Sequence, residues 1–172
     1  MIFRKATKED IAAIAEIYEN IIDEQEKGGP YVGWQKGVYP TAQTAKAALL
    51  RGDLFVLQDG QILGAAIINK IQVDVYFGAP WEYSAKDQEV CVLHTLVIEP
   101  KAAKKGYGKA FVSFYEEYAK EHNCPYLRMD TNAKNIRARA MYKKLGYKEI
   151  AVVPTVFNGI SGVDLVLLEK KI

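Results

Sequence analysis

Val97-Ile98-Glu99-Pro100-Lys101-Ala102-Ala103-Lys104-Lys105-Gly106-Tyr107-Gly108-Lys109-Ala110-Phe111 carries an apolar strand into an amphipathic helix through a basic, glycine-bearing turn. The first N–H groups of a helix have no intrahelical partner, and the helix dipole favours an anion beside them. Gly106 and Gly108 let the main chain approach a ligand with no Cβ in the way. Lys104, Lys105 and Lys109 add positive charge at the same place. The stretch from Lys104 to Lys109 is therefore expected to hold phosphate.

Two common phosphate-binding patterns do not describe this turn. The dinucleotide fingerprint G-x-G-x-x-G meets Phe111 where its third glycine belongs, and Pro100 to Lys105 separate the strand from Gly106. Asp130, 22 residues after Gly108, is the one feature in its favour. The pattern G-x-x-x-x-G-K-[ST] occurs nowhere in the chain.

Working outward, Val90 to Ile98 reads as a strongly apolar strand ahead of the turn. Gly106 to His122 reads as a helix with Tyr107, Phe111, Phe114, Tyr115 and Tyr118 on one face. Tyr126 to Met129 predicts another buried strand, and Asn135 to Leu145 a helix closed by Gly146. Tyr147 to Val152 and Val163 to Leu168 complete the C-terminal strands. On the N-terminal side, Ile2 to Lys5 suggests a strand. Thr7 caps a helix that carries Ile11, Ile14, Tyr18, Ile21 and Ile22 and ends near Gly28-Gly29-Pro30. Thr41 caps a second helix running to about Leu50. Leu54 to Gln58 and Ile62 to Asn69 form a hairpin about Asp59-Gly60. Residues 70–88 read as a long loop over the sheet, with a strand extension at Val73 to Phe77.

This order of elements suits a mixed α/β (α+β) sheet with helices on both faces. At 172 residues the chain is the size of one domain, spanning 1–172, and can bury roughly 70% of its unfolded surface without staples. Its 49% hydrophobic and 26% charged content excludes disordered and fibrous classes. A net charge of +2, from 23 basic and 21 acidic residues, is too balanced for nucleic acid or an anionic membrane as the main partner. Cys91, Cys124, His94 and His122 show no metal-ligand spacing, so no metal is expected. No leader or membrane-spanning run is read, and the expected setting is a reducing cytoplasm.

A second segment gives the glycine turn its meaning. Asn135-Ile136-Arg137-Ala138-Arg139-Ala140-Met141-Tyr142-Lys143-Lys144-Leu145-Gly146-Tyr147 follows the strand expected beside the first. Ala103-Lys104-Lys105-Gly106-Tyr107-Gly108, followed by Asn135, Ala138, Met141, Tyr142, Gly146 and Tyr147, resembles the paired signature of the Gcn5-related N-acetyltransferase (GNAT) superfamily. The resemblance covers nearly the whole chain, and the loop from Trp34 to Pro40 looks like a segment of its small bacterial members. Ala103 stands where Gln or Arg is usual, and Lys104 or Lys105 is expected to substitute for it.

The resemblance implies a mostly antiparallel sheet of about seven strands, with one strand pair splayed to admit acetyl-CoA. It implies that Lys104, Lys105, Gly106, Tyr107, Gly108 and Lys109 hold the pyrophosphate, and that the main chain of Leu96, Val97 and Ile98 pairs with the pantetheine arm. A main-chain N–H near Val97 would polarise the thioester carbonyl. Asn135 and Ala138 would border the cofactor. Tyr142 occupies the position of the general acid, and a phenol of pKa about 10 suits a thiolate leaving group.

His94 is expected on the base side, two residues before Leu96 on one strand face, and it matches a histidine of the arylalkylamine members. Val92 stands where histone acetyltransferases carry a glutamate, which disfavours that mechanism. Tyr31, Trp34, Tyr39, Trp81, Glu82 and Tyr83, with His94, are the expected acceptor contacts, by cation–π and ion pairing to an amine. The expected reaction is direct acetyl transfer to a small-molecule primary amine. The alternatives are a protein N-terminus or lysine as acceptor, or a non-catalytic acyl-CoA sensor. A homodimer is compatible with this reading.

Overall fold

In the computed structural model, which describes residues 1–172, the strands are β1 (Ile2–Lys5), β2 (Leu54–Asp59), β3 (Gln61–Asn69), β4 (Val90–Ile98), β5 (Tyr126–Asn132), β6 (Lys148–Phe157) and β7 (Ile160–Lys171). The helices are α1 (Ile11–Glu26), α2 (Ala42–Arg51), α3 (Tyr107–Glu121) and α4 (Ile136–Lys144). One sheet takes the order β1-β2-β3-β4-β5-β7-β6, antiparallel throughout except for the parallel pair β4/β5. No helix is long and apolar enough to cross a membrane.

The central strands are continuous apolar runs because both sheet faces are covered. On one face α3 brings Phe111, Val112 and Tyr115 onto Leu93, Leu127 and Leu168. On the other, α1 and α2 bring Ile14, Tyr18 and Ala45 onto Val56, Ala65 and Val97. Beside that second layer, Tyr76 from the 70–88 loop packs on Val90, Val92, Leu165 and Leu167.

The loop is pinned by a buried ion pair. Arg128 Nη2 lies 3.2 Å from Glu169 Oε1, with the two side chains 6% and 1% exposed. The Arg128 guanidinium also stacks under the Trp81 ring at 4.1 Å and donates to Gln72 Oε1 and the Tyr83 carbonyl. Glu169 Oε2 accepts from the N–H of Glu82 at 2.9 Å. Four of the five guanidinium N–H donors and both carboxylate oxygens are engaged, which lets the buried charge pair be tolerated.

Two irregularities build the site. The β4/β5 ladder pairs Val90 to Leu93 with Tyr126 to Met129 and then stops, so the strands part beyond Leu93. In the β3/β4 ladder Ala65 faces Val97 and Ile67 faces His94, so β4 holds one extra residue between those pairs. Thr95, at φ 49, carries this bulge in a left-handed conformation that non-glycine residues seldom adopt.

The structure departs from the expected elements at three places. Val73 to Phe77 is no strand: Asp74–Tyr76 forms a short 3-10 turn that buries Tyr76. β5 runs on to Asn132, because Asp130, Thr131 and Asn132 still pair with Leu167, Val166 and Leu165 of β7. The last two strands form one long hairpin about Asn158-Gly159, where the expectation stopped at Val152 and resumed at Val163. Pro154 argues against a central strand, and β6 admits it because it lies at the sheet edge.

Candidate active site

The basic turn leaves a run of main-chain N–H groups free to meet an anion. After the short turn Pro100–Ala102, Lys104 (φ 66) and Gly106 (φ 85) both take left-handed conformations, which turns successive N–H groups toward one side. None of the N–H groups from Lys104 to Lys109 donates within the chain, and the first bond of α3 runs from Ala110 N–H to the Gly106 carbonyl. Glycine at 106 answers the backbone, since a Cβ there would meet nothing within 4 Å. Glycine at 108 answers packing, because a Cβ would come within 3.3 Å of Met141 Sδ on α4.

This turn forms one end of a cleft of about 520 Å³ that runs between α3, α4 and the end of α1. Leu96, Val97 and Ile98 line it, together with Lys104, Gly106, Tyr107, Gly108 and Lys109 and with Asn135, Ala138 and Tyr142. Past Leu93 the edge of β4 that faces β5 has no ladder partner. A run of free N–H donors, an unpaired strand edge and the cations Lys104, Lys109 and Arg137 make a donor set that fits a pyrophosphate followed by an amide-bearing arm. Ala103 also lines the cleft, and of the two lysines expected to substitute for it, Lys104 and Lys105, only Lys104 does so. Lys105 instead borders a groove between α1 and the β2–β3 turn, where the Tyr107 hydroxyl donates to Asp59 Oδ2 at 3.0 Å.

A smaller cavity of about 100 Å³ adjoins the cleft, and Trp34, Leu96, Asn135, Ala138 and Tyr142 belong to both. Tyr142 is 7% exposed, and no group of the chain hydrogen-bonds to its hydroxyl. Burial, and then the charge of Asp130, push its pKa up from the usual phenol value, so the proton stays on Oη. Asp130 lines the cavity from β5. Its carboxylate accepts a hydrogen bond from the Tyr76 hydroxyl at 2.8 Å. Burial raises the Asp130 pKa to about 6, against the opposing pull of the Tyr76 bond.

Tyr39 closes another wall, hydrogen-bonded to Thr95 Oγ1, with its own pKa pushed up to about 12 by burial. The neighbouring Val32–Trp34 segment lies so close to β5 that a Cβ on Gly33 would come within 2.3 Å of Asn132 Nδ2. Three Gln25 hydrogen bonds hold it there: Oε1 accepts from Val32 and Gly33 N–H, and Nε2 donates to the Trp34 carbonyl.

Among the expected acceptor contacts Trp34 and Tyr39 line this cavity. Tyr31 is exposed, with Lys134 Nζ 5.7 Å from its ring. Trp81 covers Arg128 and donates through Nε1 to the Tyr76 carbonyl, while Glu82 pairs with Lys148 at 2.9 Å. Both belong to the anchor of the 70–88 loop.

The premise for His94 also fails, because the Thr95 bulge breaks the alternation. Leu96 packs on the α3 side, whereas His94 continues the opposite side that carries Val90 and Val92. His94 Nε2 bonds Asn69 Oδ1 at 3.0 Å, and burial lowers its pKa to about 4. It does not line the cavity that holds Tyr142 and Asp130. Asn135 caps α4, its Oδ1 accepting from Ala138 N–H at 3.1 Å. Cys91 and Cys124 are buried away from both chambers.

The residues missed from the sequence are Asp130 as a base, Tyr76 and Thr95. Asp130 was visible at the end of a buried strand, but its distance from Gly108 drew it toward the dinucleotide pattern. The mostly antiparallel sheet removes that pattern's structural context.

The model of the acetyltransferase (GNAT) family matches residues 14–147. The chain is 23% identical over 149 residues to the N-acetyltransferase YhfO of Bacillus subtilis, which covers 87% of this chain and 91% of that protein. A GNAT-family acetyltransferase of Streptococcus agalactiae superposes with a TM-score of 0.80 at 22% identity, over 99% of this chain and 95% of the other. The structure of yncA from Salmonella typhimurium, solved with its cofactor acetyl-CoA, superposes with a TM-score of 0.67 at 19% identity, covering 99% and 93%. At these identities the structural likeness speaks for the fold.

Proposed function

The chain belongs to the acetyltransferase (GNAT) family, and from that membership we propose that it transfers the acetyl group of acetyl-CoA directly to the primary amine of a small molecule. One observation carries the reading. Where β4 and β5 part, a donor-lined cleft meets a small cavity, with a protonated phenol (Tyr142) on the boundary and a carboxylate of near-neutral pKa (Asp130) inside the cavity.

Acetyl-CoA supplies the acetyl group as a thioester. The N–H groups of Lys104 to Lys109, with the Lys104 and Lys109 ammoniums, bind its pyrophosphate, and the open edge of β4 at Leu96 to Ile98 takes the pantetheine amides. A main-chain N–H near Val97 stabilises negative charge on the carbonyl oxygen as the amine nitrogen attacks. Asp130 takes the proton from that nitrogen, and a carboxylate of pKa about 6 is mostly ionised and still basic enough to do so at neutral pH. Tyr76 holds the carboxylate in place by donating to Oδ2. Tyr142 Oη gives its proton to the departing sulfur. The cavity lining offers no cysteine or serine nucleophile, which supports transfer within a ternary complex.

The cofactor half of this reading is tested by the melting temperature with acetyl-CoA and, separately, with NAD. Stabilisation by acetyl-CoA that is weakened in Lys104→Glu supports it. Stabilisation by NAD alone would return the turn to the dinucleotide class.

A further inference from the structure

The chemistry of the smaller cavity narrows the acceptor. One wall is apolar, formed by Trp34, Leu96, Phe157, Val163 and Leu165, and faces a polar side that carries Asp130, Thr131, Asn132 and Asn135. Phe157 meets Tyr39 edge-on at 5.2 Å, and Tyr39 meets Trp34 at 6.1 Å, so one side of the cavity is an aromatic string. Asp130 is the only charged residue in the lining; no Lys, Arg or His reaches it. Of the remaining polar groups, Tyr39 and Thr95 bond each other. The side-chain oxygens of Asn132 and Asn135 are taken up by the N–H groups of Lys134 and Ala138, which leaves only uncharged groups, the Thr131 and Tyr142 hydroxyls and the two amide nitrogens, beside Asp130.

An ammonium entering this space has one partner, Asp130. A second ammonium has none, and a carboxylate or phosphate has no cation to meet and is repelled by Asp130. Burying an unpaired charge costs far more than such a cavity returns. The volume of about 100 Å³ is somewhat below that of a cavity that accepts benzene, about 150 Å³. It suits a side-chain-sized body and leaves no room for a folded acceptor.

We infer that the acceptor is a compact primary amine with an uncharged, apolar body, its amine end held at Asp130 and its body against the Trp34–Tyr39–Phe157 wall. This selects against amino acids with a free carboxylate, polyamines and peptide N-termini. It rests on the acetyl-transfer reading above.

The experiment compares butylamine, 4-aminobutyrate and 1,4-diaminobutane, which share a four-carbon skeleton, and adds a short alanine-initiated peptide. Each is supplied with acetyl-CoA to the full chain, and CoA release and the acetylated product are both followed. The expected kcat/KM for butylamine exceeds that for each of the others by about 10²-fold or more, the discrimination of a pocket that leaves a charge unpaired. In Phe157→Lys the ratio of 4-aminobutyrate to butylamine rises at least about 10-fold, because the wall then carries a cation. Turnover that favours the amino acid, the diamine or the peptide overturns the inference and leaves acetyl transfer standing. Acetyl-CoA binding with no amine accepted at all removes the acetyl-transfer reading, and the inference with it. The wild-type comparison decides the matter even where Phe157→Lys does not fold.

Discussion

The hydroxyl of Tyr76 donates to the carboxylate of Asp130 at 2.8 Å, joining residues 54 apart in the chain. Tyr76 reaches Asp130 only because the 70–88 loop is drawn onto the sheet by the Arg128–Glu169 pair and the Trp81 ring above it. The charge beneath the loop therefore has a bearing on the cavity beside it.

In the proposed mechanism Asp130 sets the pH dependence. With its pKa raised to about 6, it is protonated and unable to accept a proton below that pH. The log kcat/KM profile for an amine acceptor should bend near pH 6 and fall more steeply on the acid side. Asp130→Asn should remove the bend and lower kcat/KM by about 10²- to 10⁴-fold. A bend that survives in Asp130→Asn would assign it to another group.

Tyr76→Phe keeps the ring that packs on Val90 and Leu165 and deletes only the donor to Asp130. The bond favours the carboxylate, so its loss should raise the Asp130 pKa and move the bend to higher pH. A merely structural role for Tyr76 would leave the bend where it is.

His94 should act on stability and not on the catalytic bend. Its pKa is about 4 in the folded chain against 6.5 in the unfolded one, so the unfolded state binds more protons between those values. Its contribution to stability is present above about pH 6.5 and is lost as pH falls toward 4. Asp130, with a raised pKa, pulls the other way over part of that range, so the comparison must be with a variant. His94→Gln should flatten the loss of stability between about pH 6.5 and 4, measured by denaturant midpoint, while the bend near pH 6 persists. A bend that disappears in His94→Gln would restore His94 as the base.

Arg128→Met leaves the Glu169 carboxylate buried with two N–H donors and no cation. The expected loss is about 3–5 kcal/mol of unfolding free energy, read from urea denaturation. A loss below about 1 kcal/mol, the level of a surface pair, would mean that water reaches the site.

The turn and helix cap of the cleft proposed for the cofactor were legible in the sequence, because the features that shape them are local. Gly106, Gly108 and the lysines act within a few positions of one another, and Asn135 caps its own helix three residues on at Ala138. The acceptor half depends on distant pairings. Alternation placed His94 and Leu96 on one face, and a single extra residue at Thr95, undetectable from polarity, separated them. Trp81 and Glu82 had the composition of an amine site, but their partners Arg128 and Lys148 lie 47 and 66 residues away. Asp130 carried no sign of Tyr76. Pro154 hid the length of the last hairpin, since its tolerance depends on β6 being an edge.

The most direct test is amine-dependent release of CoA from acetyl-CoA, with the acetylated amine identified by mass, in the wild type and in Tyr142→Phe. The account predicts stoichiometric product in the wild type and a kcat lower by about 10²-fold in Tyr142→Phe, with acetyl-CoA affinity nearly unchanged. Equal kcat in the two proteins, or tight binding of acetyl-CoA with no amine-dependent release, would contradict it.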